Sequence, residues 1–140
     1  MSYEFFPHTG DLGVRVWGDS FESLAASAAR AFLDAQTDPE SVRLADAVIL
    51  TCRAPELDLV LHDFLSDLLF QFDARHRLVC DADIAVTRDG DLWVLDATTR
   101  GELYDPARHP IKVLIKGVTY HALAVAQTAR GWEGTVVFDI

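Results

Sequence analysis

The sequence has 140 residues, of which 50% are hydrophobic and 24% are charged. This composition is typical of a single globular domain covering residues 1–140, and it excludes the disordered and fibrous classes of protein. The net charge of −10 argues against direct, tight binding to nucleic acid and favours a protein partner with a basic face, although a solvated surface is the simpler explanation.

The first half of the chain predicts a strand followed by a helix. Apolar and polar residues alternate with period two over residues 12–18, which indicates a strand ending at Gly18. Asp19 and Glu22 stand three residues apart, so we expect them to form a capping box at the start of a helix that ends near Thr37. The apolar stripe of this helix consists of Phe21, Leu24, Ala25, Ala28, Phe32 and Leu33.

The rest of the chain predicts one more helix and several more strands. Alternation over residues 48–53 indicates a strand, and a second amphipathic helix follows, with Leu57, Leu61, Phe64, Leu65, Leu68 and Phe72 on its apolar face. Further strands are predicted over residues 78–88, 92–98, 111–120 and 135–138, with a tight hairpin turn at residues 89–91. The predicted fold class is therefore α+β, with antiparallel β-sheets packed against two amphipathic helices.

The sequence shows no membrane-spanning or export pattern. Its first residues lack a basic region followed by an apolar run, and no apolar window approaches the length of a membrane span. Cys52 and Cys80 are far apart and lack the spacing of a zinc or redox motif, so we expect two buried, reduced thiols. These features favour a cytoplasmic protein without membrane contact.

Two polar clusters are candidate sites. In residues 6–11, His8, Thr9 and Asp11 offer nitrogen and oxygen ligands, although Thr9 and Asp11 would also serve simply to hydrogen-bond their own turn. In residues 116–121, strand alternation places Lys116, Val118 and Tyr120 on one face and Gly117, Thr119 and His121 on the other. An edge lysine that discourages aggregation and a satisfied, partly buried histidine are the structural alternatives for this second cluster.

The third candidate is the apolar strand at residues 136–140. It places the Asp139 side chain beside the main-chain carboxylate of Ile140, and these two groups repel each other unless a cation lies between them. Together with Asp11 and water they would form an oxygen-rich site for calcium or magnesium, whereas a histidine ligand would suit zinc or manganese. The charges of the turn-rich residues 100–110, including Glu102, are either solvated or part of a loop that binds a partner.

Five segments of this sequence, in this order and spacing, resemble the archease family. They are residues 6–11, 101–102, 105–110, 116–121 and 138–140. A helix soon after the first segment and the Phe72-Asp73 pair at the end of the second helix match the family as well. The resemblance covers the whole chain, and Gly10, where many members have alanine, removes no ligand.

The resemblance implies an accessory protein and not an enzyme. Its partner would be the GTP-dependent RNA ligase of tRNA splicing, whose guanylation and multiple turnover it would promote. The family's metal site carries over to Asp11, Asp139 and Ile140, with calcium as the expected cation and magnesium or manganese as alternatives. Lys116 matches a functional lysine of the family, and His8, His121 and Glu102 are further candidates for activating the ligase.

Two other functions fit the same residues. A metal-dependent hydrolase would use Asp11 and Asp139 as ligands, His8 or His121 as general base, and Lys116 to stabilise developing negative charge. A chaperone-like modulator of several RNA-processing proteins would instead dock through the acidic surface. The sequence patterns specify neither an oligomeric state nor the native metal.

Overall fold

The computed structural model describes residues 2–140, which form two antiparallel sheets and two long helices. The elements follow in this order: β1 Tyr3–His8, β2 Asp11–Gly18, α1 Phe21–Gln36, a 3₁₀ turn Pro39–Ser41, β3 Asp46–Ala54, α2 Leu57–Arg75, β4 Arg77–Asp89, β5 Leu92–Leu103, β6 Gly117–Val118, β7 Ala124–Thr128 and β8 Gly131–Asp139. The predicted α+β class is confirmed.

The larger sheet has five strands in the order β1-β2-β8, with β6 and β7 both pairing with the other edge of β8. The smaller sheet has the order β3-β5-β4. One hydrophobic cluster contains residues from both sheets and both helices, including Val14, Leu24, Leu61, Leu95 and Phe138, all 0% exposed. The two helices therefore share one core with the inner faces of both sheets.

The first helix begins differently from the prediction. Ser20 is its N-cap, and the amide of Ser23 donates to the Ser20 hydroxyl at 3.1 Å while the Ser20 amide donates back to the Ser23 hydroxyl at 3.5 Å. The capping box predicted for Asp19 and Glu22 is wrong, because the residue directly before the first helical position is Ser20. The predicted end is confirmed, since Thr37 is the C-cap.

Most predicted strands are confirmed, and the predicted strand over residues 111–120 is wrong except at Gly117–Val118. Residues 111–116 do not form a ladder with one strand. Lys112 N–H donates to the carbonyl of Gln36 at the end of α1, and Lys116 N–H donates to the carbonyl of Asp139. A segment whose amides go to such scattered acceptors follows the surface as an irregular strap.

Two strands were missed by the sequence patterns. β1 contains Pro7, which reads as a strand breaker but is tolerated here because β1 is an edge strand. β7 has only five residues, Ala124–Thr128, and its sequence lacks the apolar–polar alternation of a half-buried strand. Among residues 2–140, neither helix has the length and hydropathy that crossing a membrane requires.

Candidate functional site

Four strand ends of the larger sheet bring residues of all three candidate clusters together. The register pairs His8 with Asp11, Asp11 with Asp139, and Asp139 with Gly117. Directly opposed residues of antiparallel strands carry their side chains on the same face. These four residues, called the carboxylate row below, therefore lie side by side across β1, β2, β8 and β6.

Local sequence explains why the row forms. A two-residue turn joins β1 to β2, and Gly10 takes the left-handed conformation (φ +73°) that this turn requires, so His8 and Asp11 end up opposite each other. The neighbouring pair Leu12–Phe138 faces the core, where Phe138 is 0% exposed. Because side chains alternate along a strand, this burial directs Asp139 to the opposite, outer face.

The row contains two like charges close together. Side chains directly opposite in an antiparallel pair have Cβ atoms about 4.5–5.5 Å apart, and like charges at such positions destabilise the sheet. The Asp11 side chain is 27% exposed and the neighbouring His8 side chain 30%. His8 Nδ1 lies 3.6 Å from Asp11 Oδ2, which is too long for a normal hydrogen bond, and this buried nitrogen has no partner among the described residues.

The donor set suits a hard cation better than a soft one. Within residues 2–140, no three side chains of His, Cys, Asp or Glu converge as a preformed metal site. Asp11 and Asp139 therefore supply two carboxylates, and any further ligands would have to come from the expected Ile140 carboxylate and from water. Oxygen donors completed by water fit calcium or magnesium, both of which accept water as a ligand.

Residues 116–121 lie along the open side of the row. The predicted alternation is confirmed at two positions: the His121 ring contacts the His8 ring edge-to-face at 4.7 Å, whereas Tyr120 turns the other way and packs against α2. Lys116 has an exposed side chain, and its amide donates to the carbonyl of Asp139 at 2.7 Å. The structure thus places the His121 ring against His8 of the row and joins the Lys116 main chain to Asp139, while the Lys116 side chain is exposed.

Glu102 lies in a separate cluster on the smaller sheet. Its carboxylate, 8% exposed, accepts hydrogen bonds from the Arg108 guanidinium, the Arg43 amide at 2.8 Å and His109 Nε2 at 2.9 Å. The Arg108 hydrogen bond, aided by those from Arg43 and His109, lowers the pKa of Glu102 to about 2 despite its burial. Through Arg108 and His109, Glu102 holds the turn-rich residues 105–110 against the rest of the domain.

His62 is a residue near the site that the sequence patterns did not single out. It lies on α2 with 7% exposure, its Nε2 is 2.8 Å from the carbonyl of Val118, and its ring stacks on that of Tyr120 at 4.0 Å. The only sign of this residue in the local sequence is that a histidine follows Leu61, an apolar position of the helix. Its partners are more than fifty residues away in sequence, so helical periodicity alone does not identify its role.

Comparison with known proteins gives matches along the whole chain. The model of the Archease protein family matches residues 3–140. The protein archease of Methanopyrus kandleri is 33% identical over 140 residues, covering 100% of both chains, and that of Archaeoglobus fulgidus is 30% identical with the same coverage. The alignment with each of these two relatives therefore covers the full length of both proteins.

Two solved structures share the fold. The solution structure of protein 1598 from Methanobacterium thermoautotrophicum has a TM-score of 0.83 at 25% identity, covering 99% of each chain. The crystal structure of an archease from Thermotoga maritima, termed a possible chaperone, has a TM-score of 0.54 at 21% identity, covering 96% of this chain and 94% of that one. The second likeness concerns the fold alone.

Proposed function

Because the chain belongs to the archease family, we propose that it is a metal-binding accessory protein that activates the GTP-dependent RNA ligase of tRNA splicing. In this role it promotes guanylation of the ligase and multiple turnover, and it does not itself join RNA. The observation that carries the proposal is the carboxylate row, which places Asp11 and Asp139 opposite each other at an exposed end of the larger sheet.

The row holds a divalent cation in this proposal. Asp11 and Asp139 bind it through their side chains, and the main-chain carboxylate of Ile140 and water complete the coordination. Calcium fits the oxygen donors best, with magnesium and manganese as alternatives. The bound cation supplies positive charge that offsets the repulsion between the two carboxylates and that attracts phosphate oxygens.

The neighbouring side chains act on the ligase and its nucleotide. The exposed Lys116 ammonium lies on the segment that borders the row and is suited to contact a phosphate or a carboxylate as a mobile point charge. His8 and His121, in ring contact, form the rim on the β1 side. The two histidines beside the row and Lys116 on the neighbouring segment offer donors that can position a phosphate group in the ligase's nucleotide site.

The overall charge favours a basic docking face on the ligase. With a net charge of −10, the protein is attracted to a positively charged cleft, and such complementarity increases the association rate and fixes the orientation of docking. The exposed acidic end of the sheet would then enter the cleft first. A ligase cleft that binds RNA and GTP has the basic character that this docking requires.

Multiple-turnover RNA ligation by the cognate ligase tests the proposal. The protein is added at substoichiometric amounts with GTP and divalent metal, as wild type, Asp139→Asn and Asp91→Asn, the last a matched control in the exposed β4–β5 turn. We expect stimulation by wild type and by Asp91→Asn, and a loss of about tenfold or more in Asp139→Asn. Absence of stimulation by folded wild-type protein would refute the proposed function.

Two further assays with the same variants separate the alternatives. Turnover of a phosphate ester by the protein without ligase, abolished in Asp139→Asn, would identify a metal-dependent hydrolase with His8 or His121 as general base. Stimulation of unrelated RNA-processing proteins that is insensitive to Asp139→Asn would identify a chaperone-like modulator, in line with the term applied to the Thermotoga maritima protein.

A further inference from the structure

Helix α2 makes a polar contact with the segment that borders the carboxylate row. The carbonyl of Val118 can only accept a hydrogen bond, so His62 Nε2 donates to it across 2.8 Å. His62 Nδ1 faces the Asp63 carboxylate at 3.0 Å. The ring also stacks on Tyr120 with an interplanar angle of 16°, so one side chain holds two residues of the segment.

The segment needs such support because its strand is short. β6 consists of Gly117–Val118 alone, paired with Asp139 and Phe138 of β8. Beyond β6, the Thr119 amide donates to the carbonyl of Val137, and the turn that follows places Ala122 in the left-handed region (φ +54°), which disfavours residues with a side chain. The pairing with β8 thus runs only from Lys116 to Thr119, and residues 120–122 follow it without a strand partner.

We propose that His62 is a positioning residue, which fixes residues 116–121 against the carboxylate row and thereby sets where the His121 ring and the exposed Lys116 side chain lie relative to it. This inference rests on the proposed function for its effect on the ligase. Val118 and Tyr120 face α2, whereas His121 faces His8, so a hydrogen bond on one face of the segment sets the orientation of the residues on the other. The pairing of Asp11 with Asp139 does not depend on His62, because the long β2–β8 ladder holds it.

Two substitutions separate positioning from simple packing. His62→Phe keeps a flat ring for stacking on Tyr120 and loses the N–H donor. His62→Gln keeps an N–H donor and loses the ring. If His62 only fills space, His62→Phe is the milder change, whereas if its hydrogen bond positions the segment, His62→Gln is the milder one.

Residue-resolved hydrogen exchange by NMR provides a readout that is independent of the ligase. In His62→Phe we expect exchange of the Thr119 amide to accelerate about tenfold, with the Val14 amide of the central β2 strand unchanged. His62→Gln should restore much of the protection. Unchanged Thr119 exchange in a folded His62→Phe protein would overturn the inference.

The second readout is ligase stimulation by the same variants. We expect the maximal stimulation to fall about fivefold in His62→Phe while calcium affinity changes less than twofold, because Lys116 is displaced and the carboxylates are not. Full stimulation despite faster Thr119 exchange would also overturn the inference. If wild type does not stimulate the ligase at all, the proposed function fails, and the exchange data still decide whether His62 orders the segment.

A further variant keeps the test valid if His62→Phe does not fold. The Tyr120 side chain is 66% exposed, so Tyr120→Leu removes the stacking partner without opening the core. We expect Thr119 exchange to accelerate about threefold in this variant, since the hydrogen bond from His62 remains but loses its cover from water. Exchange equal to that of wild type would show that the stacked pair does not order the segment.

Discussion

Glu102 and Asp139 are both carboxylates at strand ends, but their neighbours differ. Glu102 is buried and accepts hydrogen bonds from Arg108, His109 and the Arg43 amide. Asp139 is exposed and lies opposite Asp11, a second carboxylate. A carboxylate surrounded by donors is satisfied by the protein itself, whereas facing carboxylates gain from a cation. The first therefore stabilises the fold, and the second is suited to binding.

Replacement of Glu102 should reveal this stabilising role. In Glu102→Gln we expect the free energy of unfolding to fall by about 2 kcal/mol near neutral pH, because charge-assisted hydrogen bonds to Arg108 and His109 are lost. The pKa of Glu102 is lowered from 4.5 to about 2, so its contribution is fully present above about pH 4.5 and is lost as the pH falls towards 2. Urea unfolding against pH should therefore show a shallower acid dependence in the variant. An unchanged profile would contradict this assignment.

The two cysteines should differ in reactivity. Cys52 is 5% exposed, and burial, followed by the hydrogen bond from its thiol to Asp67, raises the pKa of Cys52 far above its usual range. Cys80 is half-buried, so the expectation of two buried thiols is wrong for this residue. Because the thiolate is the reactive species, iodoacetamide should alkylate Cys80 first in the folded protein. Mass spectrometry of tryptic peptides measures this order, and faster modification of Cys52 would be the contrary result.

At the scale of elements, the start of α1 is fixed by the capping box of Ser20 and Ser23, one residue after the predicted pair Asp19 and Glu22. We expect Ser20→Ala to lower the free energy of unfolding by about 1 kcal/mol, because the Ser23 amide loses its acceptor. Asp19→Ala is the matched control and should change it by less than about 0.5 kcal/mol, since Asp19 is exposed and precedes the cap. Thermal or urea unfolding distinguishes the two. A larger effect of Asp19→Ala would instead support the capping box predicted for Asp19 and Glu22.

Periodicity predicted the elements with strong apolar patterns and missed those without one. Both helices and the long strands of each sheet were predicted because each has a regular series of apolar residues that contact the shared core. The irregular strap before β6 was wrongly predicted as a strand, since its apolar residues Ile111, Val113 and Ile115 alternate in sequence. Val113 and Ile115 contact the body of the domain whereas Ile111 is exposed, and no ladder forms here because the Lys112 amide bonds to the carbonyl of Gln36 at the end of α1.

At the scale of the whole molecule, charge is the dominant property. The net charge of −10 should prevent saturable binding to RNA at about 0.15 M salt, because the acidic surface repels the phosphate backbone. Fluorescence anisotropy of a labelled single-stranded RNA, titrated with the protein, should show no saturation. The ligase serves as the positive control in the same buffer. Tight, salt-sensitive binding by this protein alone would contradict the prediction that the ligase, and not this protein, binds RNA.

The candidate site could be predicted from the sequence only as separate pieces. Asp11, Asp139, His8 and His121 were identified by residue type and by resemblance, and the register of three strands then brings them together. The contact of His62 with Val118 could not be predicted, because it joins a helix to a strand that only the folded chain places nearby. Local patterns predict which residues are candidates, whereas strand register and helix packing decide which of them are neighbours.

Calcium titration by isothermal calorimetry tests most directly whether the carboxylate row holds a cation. Wild type, Asp11→Asn, Asp139→Asn and the control Asp91→Asn are compared in the same buffer. We predict one binding site in wild type and in Asp91→Asn, and an affinity at least about tenfold weaker in the other two variants, since each lacks one charged ligand. Equal affinity in all four proteins, or no binding by wild type to calcium, magnesium or manganese, would contradict a metal site at this end of the sheet.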